Sequence, residues 1–154
     1  MTFDVKQMTA RTFLPEIAQF IATTKMADIR AAATERAKLV LIDCLGAVVG
    51  GMAEPEMQKL VSTPLPSGTA TILGTDRGTD SQTAAFLNGM AGTVLEMDEG
   101  SQFARGHPGM HVFPALLAAA EEADCSGEEF LRAFIRTGLG GRLARRRHWQ
   151  PSII

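Results

Sequence analysis

Apolar residues return every three or four positions along most of the chain, a spacing that gathers them on one face of a helix. In residues 13–24 that face is Leu14, Ile17, Ala18 and Ile21. Residues 29–49 repeat it more strongly through Ala33, Ala37, Val40, Leu41, Cys44 and Val48, and Gly50 and Gly51 are expected to stop the helix. Asp43 sits beside this apolar face and is expected to cap or pair within the bundle. Residues 52–66 are polar with three prolines, which predicts a loop with at most a short helical turn. The run "TATIL" (69–73), between Gly68 and Gly74, is the one β-like stretch, and "GTDRGTDSQ" after it is turn chemistry. Thr79, Asp80 or Ser81 can cap a helix over 82–95. Its packed face, with Ala84, Ala85, Leu87, Met90, Ala91 and Leu95, is rich in small residues and predicts a central position. Pro114 suits the first position of a helix over 115–123. Ser126 and Glu129 form a capping box ahead of Phe130, Leu131, Phe134 and Ile135. About five helices and one weak strand make an all-α helical bundle.

A length of 154 residues fits one domain or a piece of a larger one, and 45% apolar residues is ordinary for a globular chain. A formal net charge of -2 argues against a nucleic-acid partner. Cys44 and Cys125 have no CxxC spacing, so neither a zinc site nor a disulfide framework is expected, and a reducing compartment is. The N-terminus carries Asp4 and no apolar h-region, which excludes a signal peptide. The apolar run 39–52 is broken by Asp43 and too short to span a bilayer. These features predict a cytoplasmic protein with no membrane partner.

The segment "MDEGSQFARGHPGMHVFP" (97–114) concentrates ionisable groups between two apolar helical runs. Glu96, Asp98, His107 and His111 are metal-ligand types, and His107 and His111 have helical i, i+4 spacing. Pro108 and Gly109 between them argue against a continuous helix, so no metal is expected. "GLGG" near the end lacks a preceding strand and a Lys-Ser/Thr ending, so it is no phosphate loop. Asp98 and Glu99 also fit a plainer role, capping a helix end or staying solvated.

From Gly138 the helical pattern breaks. "GLGGRLARRRHWQPSII" gathers Arg142, Arg145, Arg146 and Arg147 beside Trp149. A solvated end is the plain reading, and contact with nucleic acid or an acidic surface the sharper one. Removing one base from the codon of Gly140, with permitted codons after it, turns the run into "EVASRAAATGNHPS", an ordinary amphipathic helix and its exit. The expectation is a helical part over 1–137 and an aberrant, frameshifted basic tail over 138–154.

"DCLGAVVGG", "GTATILG", "AAFLNGMAG" and "GHPGMHVFPALLAAAE" stand in the order and context of the MmgE/PrpD family, which the chain resembles over roughly 13–138. That family includes 2-methylcitrate dehydratases, cis-aconitate decarboxylases and an iminodisuccinate epimerase. Its chains run to several hundred residues. The resemblance therefore implies the N-terminal part of a large helical domain, without the later α/β domain, a catalytic lysine and further histidines. In the family a segment like "H-x-L-D-F-D-D-T…HP" lines the active site, and here the run is "TVLEMDEG" then "GHPG". Asp98 and His107 fall on family positions, whereas Glu96 replaces the first Asp, Thr93 the His and Gly100 the Thr. Those departures imply a divergent subgroup with altered substrate or chemistry.

The resemblance implies proton removal beside a carboxylate or carbonyl of a small polycarboxylate, then loss of water or CO2, or reprotonation, with no cofactor. Such chemistry needs an acid, a base and cations that hold carboxylates. His107 fits the acid/base, with its ordinary pKa near neutrality. Pro108 and Gly109 are expected to hold it on a rigid, non-helical turn. Asp98 or Glu96 would orient His107 or act as the base, and Arg105 would bind a carboxylate bidentately. His111 is a weaker candidate for the same pocket. A second reading is a fragment or interaction module with no activity of its own. Helix faces left open would favour a homo-oligomer.

Overall fold

The computed structural model describes residues 14–102 and 105–143. Among them are six α-helices: α1 (Leu14–Thr23), α2 (Ala31–Met52), α3 (Pro55–Val61), α4 (Ser81–Val94), α5 (Pro108–Glu122) and α6 (Gly127–Leu143). The sheet is a two-stranded hairpin, β1 (Ala70–Thr71) against β2 (Gly78–Thr79), with Ala70 opposite Thr79 and Thr71 opposite Gly78. The all-α expectation holds.

Several caps stand where the sequence put them. Asp80 accepts from the N–H groups of Gln82 and Thr83 at 3.1 Å each, satisfying two first-turn donors of α4. The Thr83 side chain first, and then those two N–H groups, draw the Asp80 carboxyl below its ordinary value. Ser126 and Glu129 close their capping box, the Glu129 N–H donating to Ser126 Oγ and Ser126 N–H to Glu129 Oε2.

Five expectations are corrected. Gly50 and Gly51 lie inside α2, which runs on to Met52. A Cβ on Gly51 would run into the carbonyl of Ala91, so this glycine serves a close crossing of α2 and α4, not a helix end. The proline-rich stretch holds a seven-residue helix, α3, with Pro55 in its first turn and Met57 and Val61 buried. Asp43 is exposed on α2 and stands off the apolar face. Pro114 does not open α5; it lies buried within it, its ring 3.8 Å from where a Cβ on Gly89 would stand. The opener is Pro108, so Pro108 and Gly109 belong to a helix and not to a turn.

α4 takes the central place its small residues predict, packing on α2, α3, α5 and the hairpin, while α1 packs on α6. The core runs through Cys44, Val48 and Met52 of α2, Leu87 and Ala91 of α4, Met110 and Phe113 of α5, and Phe134 of α6. Buried Asn88 ties the hairpin to α4. Its Oδ1 accepts from Leu73 N–H at 3.0 Å and its Nδ2 donates to the Thr71 carbonyl at 2.9 Å. α6 continues to Leu143, past the expected break at 138; residues 144–154, most of the expected tail, lie outside the described residues. No helix among the described residues is long and apolar enough to cross a membrane.

Candidate functional site

The ionisable segment is the connection between α4 and α5. α4 ends at Val94, and Glu96 follows with φ of 53°, its N–H donating to the Thr93 carbonyl. That left-handed residue just past a helix end turns the chain out of α4, a place glycine usually takes. The Glu96 side chain is exposed, and Met97 is 72% exposed. Asp98 and Glu99 then turn inward, because neighbours on an irregular segment need not alternate in direction. Ser101 N–H donates to the Gly106 carbonyl at 2.9 Å, closing a small loop. Arg105 sits in that loop with φ of 50°, its N–H on the Ser101 carbonyl and its side chain exposed.

The chain re-enters helix at His107, the N-cap of α5. Its ring Nδ1 stands 3.1 Å from Asp98 Oδ2. The Asp98 side chain is 4% exposed and the His107 side chain 46%, so a buried carboxylate backs a half-open imidazole. The contact lies off the line of a strong hydrogen bond, and Asp98 Oδ2 has no other partner among the described residues.

Glu99 points to the other side of the same junction. Its Oε1 accepts from the Gly109 N–H in the first turn of α5, and its Oε2 is buried without a hydrogen bond among the described residues. Burial pushes the Glu99 carboxyl above its ordinary value, against the lowering effects of the Gly109 N–H and of His107. Beyond it lies a cavity of about 120 Å³, lined by Arg36 and Val40 of α2, Glu99 and Ser101 of the connection, and Phe134 and Ile135 of α6, among others. Cys44 of α2 lies below. Burial first, then the charges of Glu99, Asp43 and Asp98, push its thiol up to about 12.

Two predictions arise from these shifts. A neutral, fully buried Cys44 will not react with a water-soluble disulfide reagent in the native chain, whereas exposed Cys125 will. One thiol should titrate natively and a second only in denaturant; two native thiols would contradict the burial. For Glu99, a folded pKa above the unfolded one means that the fold binds the proton more tightly. Its burial then carries no penalty below the unfolded value, near the ordinary 4.5, and weighs on the fold as pH rises through that value toward the folded one. Glu99→Gln should therefore raise the urea midpoint at about pH 7 and change it little at about pH 4. A midpoint lowered at about pH 7 and little changed at about pH 4 would show instead that the charge stabilises the fold.

Of the sequence candidates, the structure brings Asp98 and His107 together. Glu96 follows the end of α4 with its side chain exposed. His111 lies one turn into α5, and its ring Nδ1 lies 2.6 Å from the His107 carbonyl, so the ring folds back on the first turn rather than joining the Asp98 pair. Among the described residues no group of three or more His, Cys, Asp or Glu is placed to hold a metal ion. Sequence reasoning missed Glu99, Arg36 and Cys44 as members of this neighbourhood. For Glu99 the available signal was its place beside Asp98, ten residues ahead of a Pro-Gly helix start.

Comparison with known proteins bears on this arrangement. The model of the MmgE/PrpD N-terminal domain matches residues 15–146. A cis-aconitate decarboxylase-like protein of Aspergillus oryzae, oryM, is 30% identical over 130 residues, covering 78% of this chain. The chain spans 27% of that relative's length. No solved structure matches. With most of its length, the α4–α5 connection included, inside the family match, this chain belongs to the MmgE/PrpD family.

Proposed function

We propose that this chain carries the acid/base part of a cofactor-independent lyase or isomerase acting on a small polycarboxylate. The observation that carries the reading is the buried Asp98 carboxylate 3.1 Å from Nδ1 of the half-open His107 ring. With Nδ1 turned to Asp98, Nε2 is the nitrogen left to face a substrate. It would take the proton from a carbon beside a carboxylate, and Asp98 would stabilise the imidazolium that forms. The same nitrogen would return the proton to a leaving hydroxyl or to carbon. Arg105, exposed on the loop before His107, would hold a substrate carboxylate. Membership of the family, and a relative named for cis-aconitate decarboxylation, support this substrate class.

Because the chain spans 27% of that relative, the proposal for the chain alone is binding and proton handling without full turnover. Catalysis needs several groups fixed to within about half an ångström. The test is incubation of the purified chain with cis-aconitate and with 2-methylcitrate, followed by proton NMR for products. No product above the His107→Ala control is expected. Turnover that disappears in His107→Ala would make the chain a complete catalyst and overturn that half of the proposal.

We also propose that the chain forms a homo-oligomer. What supports it is a row of exposed apolar residues on each of two helices that pack together. These are Leu39, Ile42 and Val49 on α2, and Phe86, Met90 and Val94 on α4. Rows of this kind mark association surfaces. Sedimentation velocity should show a dimer or larger that dissociates in Ile42→Asp/Phe86→Asp; a monomer at all concentrations would contradict it.

A further inference from the structure

Asp98 and Glu99 are adjacent, yet they grip two different parts of the opening of α5. Asp98 meets the ring of the N-cap residue, His107, and Glu99 accepts the backbone N–H of Gly109 two residues on. The first N–H groups of a helix have no partner within it. That of Gly109 finds one only because Glu99 turns inward. The fit is specific to glycine: a Cβ at position 109 would collide with Glu99 Oε1 and approach Val40 Cγ1 of α2 to 2.9 Å. The bridge between Ser101 and Gly106 closes the loop that joins the two carboxylates to His107. His107 itself has φ of −116° and ψ of 66°, outside the helical region, and its side chain makes no capping bond to the helix. Nothing in its own local geometry aims the ring.

We infer that Glu99 is a positioning residue, whose carboxylate pins the first turn of α5 through the Gly109 N–H and so holds the His107 ring against Asp98. The inference rests on the reading of His107 as the acid/base for its functional meaning, but the clamp is a statement about this chain's own geometry. Glu99 touches no reacting atom in this scheme. It works through the backbone two residues from the ring. The groups around it are Asp98 beside it, His107 across the junction, Cys44 below, and Arg36 across the cavity. None of these supplies the acceptor that Gly109 needs.

The test uses the 154-residue chain with labelled histidine and glycine, and no substrate. The ring resonances of His107 in wild type and in Asp98→Asn define the signature of the paired and unpaired ring. Glu99→Leu, which keeps bulk and removes the acceptor, should move the His107 ring resonances toward those of Asp98→Asn. It should also speed hydrogen exchange at the Gly109 amide by about ten- to hundredfold, as expected for losing a bond to a charged acceptor. Glu99→Gln retains an oxygen for Gly109 and should restore both readouts. If Glu99→Leu fails to fold, Gly109→Ala displaces the same carboxylate while leaving it in the chain and should move the ring in the same direction. His107 resonances unchanged in Glu99→Leu, or in Gly109→Ala where that variant stands in for it, would overturn the inference, as would failure of Glu99→Gln to rescue. Failure of the polycarboxylate reading would show elsewhere, as absence of any ligand effect on a His107 ring that still follows Glu99.

Discussion

Phe113→Ala is expected to destabilise the chain by about 3–5 kcal/mol, the range for removing a buried aromatic from a packed core. Phe113 is 1% exposed on the inward face of α5. Its ring stands edge-on to Phe130 at 6.4 Å and 78° and to Phe134 at 6.5 Å and 84°, while those two α6 rings stack at 6.3 Å and 8°. Truncation opens a void between α5 and α6 and also loses the edge contacts, worth about 0.5–1.5 kcal/mol per pair beyond burial. For a chain of this size the melting midpoint should fall by roughly 6–20 °C. The control is Lys59→Ala on α3, exposed and outside the two apolar rows, expected to stay within about 0.5 kcal/mol of wild type. Comparable midpoints for the two variants would mean that the three-ring cluster does not hold α6 on the bundle. The consequence reaches the site, since Phe134 also lines the cavity beside Glu99.

The second large effect is expected at the site pair. His107→Ala removes the one group among the described residues within ion-pair distance of Asp98 and strips that partner from a carboxylate whose side chain is 4% exposed. Leaving a buried polar group without its partner costs about 1–3 kcal/mol. The half-open His107 ring puts the expected loss toward the lower end, because water can enter where the ring was. Asp98→Asn/His107→Ala should recover part of the loss, since an amide is cheaper to bury unpaired than a carboxylate. A double-mutant cycle by urea denaturation reads the coupling directly. Additive effects would show that the two side chains are neighbours without being a pair.

The sequence made the caps legible because each is a local device: Asp80 serves N–H groups two and three residues on, and Ser126 and Glu129 serve one another. The long helices were legible from their apolar period. What misled was residue type read without tertiary context. Gly51 carries the signal of a helix stop, yet the space it saves is taken by the Ala91 carbonyl of another helix. Pro114 carries the signal of a helix start, yet its ring lies over Gly89, and Pro108 six residues earlier carries the same signal. α3 was hidden by its prolines, although Met57, Leu60 and Val61 hold helical spacing. In the site, Asp98 and His107 were legible as residue types and by resemblance. Glu99 was legible only as a carboxylate fit to cap a helix end; which helix it caps depends on a bond across ten residues that no local pattern encodes.

The central claim is that His107, backed by Asp98, forms part of a site for small polycarboxylates. Its most direct test follows the His107 ring by NMR while cis-aconitate, and separately 2-methylcitrate, is added to the chain, with acetate as the control. A saturable movement of the His107 ring resonances with the polycarboxylates is expected, weakened in Arg105→Ala and absent with acetate. Resonances that stay still up to high millimolar acid, or that move equally with acetate, would contradict it and leave the Asp98–His107 pair as part of the scaffold alone.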